Sequence, residues 1–173
     1  MRTSKIKYRK LFGITFVFDR CVLQTTVDLF PYIIFVLESY LQLLCELTDV
    51  GSVGHQEYIA TFNQMMRCPD TYYILVLENT SSNQIIAAAT LVIERKFIHS
   101  CAKRGHIEDL VVCPEYRGKN FGKFLVEALV AIGKHRGCYK ISLDCKDDKV
   151  RFYERVGFVR LNNIMYLRLD TPP

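Results

Sequence analysis

Arg117-Gly118-Lys119-Asn120-Phe121-Gly122-Lys123 is the stretch that decides the fold. It follows the β-type run Ile107 to Cys113 and opens a helical pattern, Gly122 to His135. In that pattern Phe124, Leu125, Ala128, Leu129 and Ile132 fall on one inward side. Two glycines let a backbone approach a ligand closely. The first N–H groups of a helix lack intrahelical partners, and with the positive end of the dipole they form an anion site suited to a pyrophosphate. Arg117, Lys119 and Lys123 add charge. The spacing is neither G-x-x-x-x-G-K-[ST] nor G-x-G-x-x-G. Taken alone, an Arg-Gly turn is also a common helix start, so phosphate binding and plain capping both stay open.

Working outward, the period changes from helical to alternating near residue 72. Tyr72 to Glu78 and Ile85 to Glu94 read as strands, joined by the turn Asn79 to Asn83 into an antiparallel hairpin. Arg95 to Gly105 reads as irregular, with four basic residues and His99. Upstream, Pro31 to Leu47 carries the stripe Ile33, Leu37, Leu41 and Leu44 and reads as a helix, followed by a second helix over Gln56 to Arg67. Downstream come a strand over Tyr139 to Cys145, a short helix over Lys149 to Val156, and one or two closing strands over Phe158 to Leu169. The alternation points to one α/β (α+β) domain with a mixed central β-sheet flanked by helices.

The chain has 173 residues and a net charge of +5. The first twenty residues hold six basic side chains against Asp19 alone, so the remaining body is neutral. A neutral body is not an obvious nucleic-acid binder, since duplex binding draws most of its affinity from a clustered basic surface. The apolar runs Leu11 to Phe18 and Leu29 to Leu37 are far shorter than the roughly 20 residues of a membrane span. Seven cysteines at odd count, with no C-x-x-C and no zinc-ligand spacing, read as reduced thiols and predict no metal.

The Arg117 to Gly122 loop, after the strand Ile107-Glu108-Asp109-Leu110-Val111-Val112, resembles the acetyl-CoA loop of the GNAT N-acetyltransferase superfamily. A second motif in the right order, Lys149-Val150-Arg151-Phe152-Tyr153-Glu154-Arg155-Val156-Gly157-Phe158, strengthens the likeness. Three further stretches resemble the glucosamine-6-phosphate N-acetyltransferase family. They are Glu94-Arg95-Lys96-Phe97-Ile98-His99, Gly105-His106-Ile107-Glu108-Asp109, and Gly137 to Cys145. The resemblance runs from about Ser39 to Leu169 and implies a GNAT fold. It implies acetyl transfer from acetyl-CoA to the amine of D-glucosamine 6-phosphate, a step toward UDP-N-acetylglucosamine, by direct transfer in a ternary complex.

The same resemblance implies residue roles. Arg117, Gly118, Lys119, Asn120, Phe121 and Gly122, the backbone of Leu110, Val111 and Val112, and Tyr153, Glu154 and Arg155 would bind acetyl-CoA. Thr48, Lys96, Phe97, Ile98, His99, Glu108, Asp109, Leu110, Tyr139, Lys140, Asp144 and Arg168 would meet the sugar phosphate. Glu108 or Asp144 would take the amine proton, and Tyr153 would protonate or hydrogen-bond the departing thiolate. Each has a plainer reading: Tyr153 as a core aromatic, the lysines as a solvated loop, the acids as caps or ion pairs. Cys145 is expected on the face of its strand opposite Asp144.

Residues 1–38 depart from the family, whose first strand has no counterpart in Ile14 to Phe18 or the apolar stretch to Leu37. Another segment must fill that edge, or the start is an alternative or wrongly assigned exon. The domain division is therefore a basic and apolar segment over 1–38 and the acetyltransferase domain over 39–173. The family further implies a homodimer; the cysteines read as reduced thiols point to a cytoplasmic location, with the basic-aromatic start offering a contact to internal membranes. Two other functions remain: acetylation of a different amine, or an inactive CoA-binding module.

Overall fold

Five strands line up in chain order, β1 to β5, as a mixed sheet. They are β1 (Ile6–Lys10), β2 (Tyr72–Asn79), β3 (Gln84–Arg95), β4 (Lys103–Val112) and β5 (Cys138–Leu143). The first four pair antiparallel and β5 joins β4 parallel. The computed structural model describes residues 6–10, 38–79, 82, 84–161, 163–167 and 169. The chain divides into two compact units, one ending at Leu143 and the other starting at Asp144.

In the first unit the edge role is filled by Ile6–Lys10, which pairs with β2 in the register Ile6↔Asn79 to Lys10↔Leu75. Ile14 to Phe18 lies outside the described residues. Helix α1 covers 38–44 of the expected Pro31 to Leu47, and a turn follows at 45–47. Residues before 38 lie outside the described ones. Helix α2 (His55–Met66) matches the expected segment. The hairpin also matches, with β3 buried continuously from Ile85 to Leu91. A strand buried on both faces reads as an apolar run rather than an alternation.

One layer is α3 (Phe121–His135), which crosses over between β4 and β5. Its Leu125, Val126 and Leu129 are wholly buried. A Cβ on Gly133 would stand 2.6 Å from the Ile141 side chain, so a glycine is what lets α3 seat on the sheet. Phe124, expected inward, is 37% exposed, and Val126 takes the inward place. The other layer is α1 and α2. Tyr40 and Leu43 pack with Ile74, Val76, Ile85, Ala88 and Val111. The Ile85 N–H donates to Ser39 Oγ at 2.8 Å and ties α1 to the sheet.

Two expectations fail here. The irregular stretch is shorter than Arg95 to Gly105, because β4 starts at Lys103 and its first half pairs with Ile93 to Arg95. What remains is a turn in which His99, Ser100 and Cys101 all have φ between 51° and 60°. The closing strands over Phe158 to Leu169 are absent among the described residues, which form no ladder. Strand residues need a neighbouring backbone to pair with, and Met165, Tyr166 and Leu167 are each more than 80% exposed.

Candidate active site

β4 has two unlike halves. Lys103 to Ile107 pairs with β3 on one side and β5 on the other, and the β5 ladder ends at Ile107↔Leu143. Among the described residues, Glu108 to Val112 pairs with β3 alone. Within that half, Thr90 faces Glu108 and Ala88 faces Val111, so Asp109 and Leu110 bulge opposite Ala89. Asp109 takes φ 53°, a left-handed conformation that costs a non-glycine residue about 1–2 kcal/mol. Bulges re-aim the strand and end pairing. The main chain of Leu110, Val111 and Val112 therefore has no β5 partner, as a backbone site for a ligand requires.

The loop after β4 begins with a short 3₁₀ turn, Pro114–Tyr116. The Arg117 Nε–H donates to the Val112 carbonyl at 3.0 Å, and its guanidinium lies 3.6 Å from Glu46 in the turn after α1. Gly118 has φ 76° and Asn120 has φ 64°. No atom would meet a Cβ at Gly118, so the left-handed φ is what selects glycine there. These two reversals lead straight into the N-terminus of the fifteen-residue α3, which is capped by no side chain. Lys119 stacks over the Tyr116 ring at 4.7 Å, and Asn79 donates to the Tyr116 hydroxyl at 2.8 Å. The loop is thus anchored to β2 and β4 while its amides stay at the surface.

The α1 and α2 side of the sheet carries the polar residues. Leu91, Gly105 and Ile141 meet beneath α3, so alternation puts Thr90, Glu94, Arg104, His106, Glu108, Lys140 and Ser142 on the opposite face. Ser142 Oγ is 3.1 and 2.6 Å from the Arg104 Nε and Nη2, and 2.8 Å from His106 Nδ1. His106 Nε2 is 3.1 Å from the Glu108 carboxylate. Glu94 is in contact with the Lys96 ammonium, which holds its carboxyl below the usual range. His99 packs on Tyr139 at 4.6 Å, and Lys140 lies 5.4 Å from the same ring. Phe97 and Ile98 are exposed at the turn, as is Thr48 after α1.

Next to this row a cavity of about 390 Å³ opens between α1, α2 and the sheet, with Tyr40, Tyr58, Thr90, Glu108 and Asp109 on its wall. Burial pushes the Asp109 carboxyl up. Burial, then the Asp109 charge, push the Tyr40 phenol up.

The second unit contributes by itself. A 3₁₀ turn, Asp147–Lys149, leads into α4 (Val150–Glu154). Tyr153 is half-buried, with Phe152 at 4.8 Å and Phe158 at 6.1 Å, the neighbours that the core-aromatic reading expects. Burial pushes its phenol up to about 12. Asp144, Glu154 and Arg155 are exposed, and Arg168 lies outside the described residues. β5 ends at Leu143, so Asp144 and Cys145 are not strand neighbours and the opposite-face expectation for Cys145 does not apply. Its thiol is pushed up by the little burial it has, Arg160 opposing, which leaves little nucleophilic thiolate.

The acetyltransferase (GNAT) family model matches residues 37–158. The chain belongs to the acetyltransferase (GNAT) family. The probable glucosamine 6-phosphate N-acetyltransferase of Drosophila melanogaster is 48% identical over 138 residues, covering 78% of this chain and 63% of that protein. The chain thus spans a little under two thirds of that relative's length. Glucosamine 6-phosphate N-acetyltransferase 1 of Dictyostelium discoideum is 43% identical, covering 79% of this chain and 86% of its own. The crystal structure of glucosamine-6-phosphate N-acetyltransferase from Arabidopsis thaliana superposes with a TM-score of 0.81 at 34% identity. It covers 96% of this chain and 99% of that one.

In this GNAT chain, the first unit brings His99, Tyr139 and Lys140 together at the start of β4 and β5, places Lys96 with Glu94, and sets Glu108 and Asp109 further along β4 on the cavity wall. The Arg117 to Gly122 loop stands at the far end of β4. Sequence reasoning missed Arg104, His106 and Ser142. Their signal was the spacing of two in Arg104, His106 and Glu108, which a strand beginning at Ile107 hides. Among the described residues no group of His, Cys, Asp or Glu could hold a metal ion.

Proposed function

We propose that this chain transfers the acetyl group of acetyl-CoA to the amine of D-glucosamine 6-phosphate, giving N-acetyl-D-glucosamine 6-phosphate and CoA. The observation that carries this is the half of β4 without a β5 partner, with an anion-type helix start at one end and the acid and base row at the other. The relatives named for this reaction support the choice of sugar phosphate.

Bound acetyl-CoA supplies an acyl thioester. The residues present suit it: the left-handed pair Gly118 and Asn120 aims loop amides outward, and Arg117, Lys119 and the first N–H groups of α3 match a pyrophosphate in charge. An N–H of Leu110, Val111 or Val112 donates to the carbonyl oxygen as negative charge builds there. Lys96, His99 and Lys140, with Arg168, hold the phosphate and hydroxyls; Thr48, Phe97, Ile98, Asp109 and Tyr139 shape the sugar side. Glu108 takes the proton from the substrate ammonium, with Asp144 the second acid able to do so. The freed nitrogen lone pair then forms the C–N bond as the C–S bond breaks. Tyr153, protonated at every ordinary pH, gives its proton to the thiolate and regains one as the acetylated nitrogen sheds its second proton, while Glu108 releases the first to solvent.

We assign the catalytic domain to residues 39–173, with Ile6–Lys10 as its edge strand. Two copies of the chain work together: the exposed run Ile164 to Leu167, apolar throughout, fits burial against a second copy. A cytoplasmic location is supported by the free thiols of Cys45, Cys68, Cys101, Cys113, Cys138 and Cys145.

Thiol release from acetyl-CoA, followed with a panel of amines, tests the reaction. Glucosamine 6-phosphate should turn over and glucosamine should not. Equal rates with both would remove the phosphate from the reading, and no release with any amine would leave a binding module.

A further inference from the structure

The row Arg104, Ser142, His106, Glu108 is a chain of hydrogen bonds with one permitted direction. Arginine can only donate. Its Nε–H and Nη2–H both point at Ser142 Oγ, at 3.1 and 2.6 Å, and occupy the two lone pairs of that hydroxyl. The single hydroxyl proton is then left for His106 Nδ1, at 2.8 Å. A neutral imidazole that accepts at Nδ1 carries its proton on Nε2. That nitrogen is the one 3.1 Å from Glu108 Oε1. A serine, a histidine and a glutamate in line also suggest a nucleophile triad, but a serine whose lone pairs face a guanidinium is no nucleophile.

We infer that His106 is a positioning residue that keeps Glu108 aimed, its tautomer set by Arg104 through Ser142. The inference rests on the proposed role of Glu108 as the base. The Nε2–H binds Oε1 and leaves Oε2 to accept the substrate proton. His106 is nearly buried and Glu108 half exposed, at 15% and 51%, so the orienting end is fixed and the working end reaches solvent. Losing the donor lets the carboxylate swing away from that aim. The other charged or titratable groups on this face include Glu94 on β3 and Lys96 after it, Tyr72 on β2, Lys140 on β5, Tyr40 on α1, Tyr58 on α2, and Asp109. All remain in the variants below.

Two measurements on the full chain test this. The first is nitrogen NMR of labelled histidine. His106 should show the Nε2–H tautomer, and Ser142→Ala should convert it to a mixture. An Nδ1–H tautomer in the unsubstituted protein, or an unchanged signal in Ser142→Ala, would overturn the inference even if the protein acetylates nothing. The second is kcat and KM with glucosamine 6-phosphate. His106→Leu should lower kcat about tenfold with the KM for acetyl-CoA unchanged. His106→Gln, whose side-chain amide can donate as Nε2 does, should restore kcat. Equal kcat in all three proteins would refute the positioning role while leaving the reaction intact. An unsubstituted protein that turns over no amine would refute the reaction instead.

Discussion

The two faces of the sheet follow different rules. Under α3 the side chains are apolar, closely packed and indifferent to chemistry, down to a glycine that Ile141 leaves no room to enlarge. Under α1 and α2 the packing is looser, a cavity remains, and the polar row runs along β4 and β5. One face therefore sets stability and the other sets reactivity. β4 belongs to both, and its bulge at Asp109 is where the strained backbone sits.

Paired substitutions break this division if it is wrong. Glu108→Gln keeps the shape of the side chain and removes the base. Turnover should fall about 100-fold or more while the urea midpoint stays put. Leu129→Ala, on the wholly buried side of α3, should cost about 2–5 kcal/mol in urea unfolding while the folded fraction keeps its kcat. If Leu129→Ala changed kcat as much as Glu108→Gln does, the two faces would not be separable.

A smaller effect sharpens the view of Tyr153. Its folded phenol is pushed up to about 12, against about 10 for an unfolded chain. Burial thus favours the folded state wherever the unfolded tyrosine is also protonated, and that contribution is whole below pH 10. It is lost as pH rises from 10 toward 12, where the unfolded chain has released its proton and the folded one has not. Tyr153→Phe should flatten the fall in thermal midpoint over that window. A profile as steep as before would mean that the phenol is not buried as described.

The fold was legible where the sequence speaks with one period. Leu125, Leu129 and Ile132 mark α3, and the apolar run from Ile85 places β3 without the help of a partner. Phe124 was misplaced because a helix face is wider than its stripe, and Val126 shared the inward side. The site was half legible. Arg117 to Gly122 is a local motif, and its backbone conformation follows from Gly118 and Asn120. The Arg104, Ser142, His106 and Glu108 chain depends on β4 starting at Lys103 and on β5 running parallel beside it. No local pattern around Ser142 declares either. The edge strand at Ile6–Lys10 was hidden in the same way, because five charged and mixed residues become a strand only when β2 offers its free edge.

The most direct test of the central claim is amide hydrogen exchange on the full chain with and without acetyl-CoA. Protection should appear at Leu110 to Val112 and at Gly118 to Lys123, and added glucosamine 6-phosphate should extend it to the row around His106 and Glu108, with the buried face under α3 unchanged. Protection confined to other segments, with the half of β4 that lacks a β5 partner exchanging as before, would contradict it.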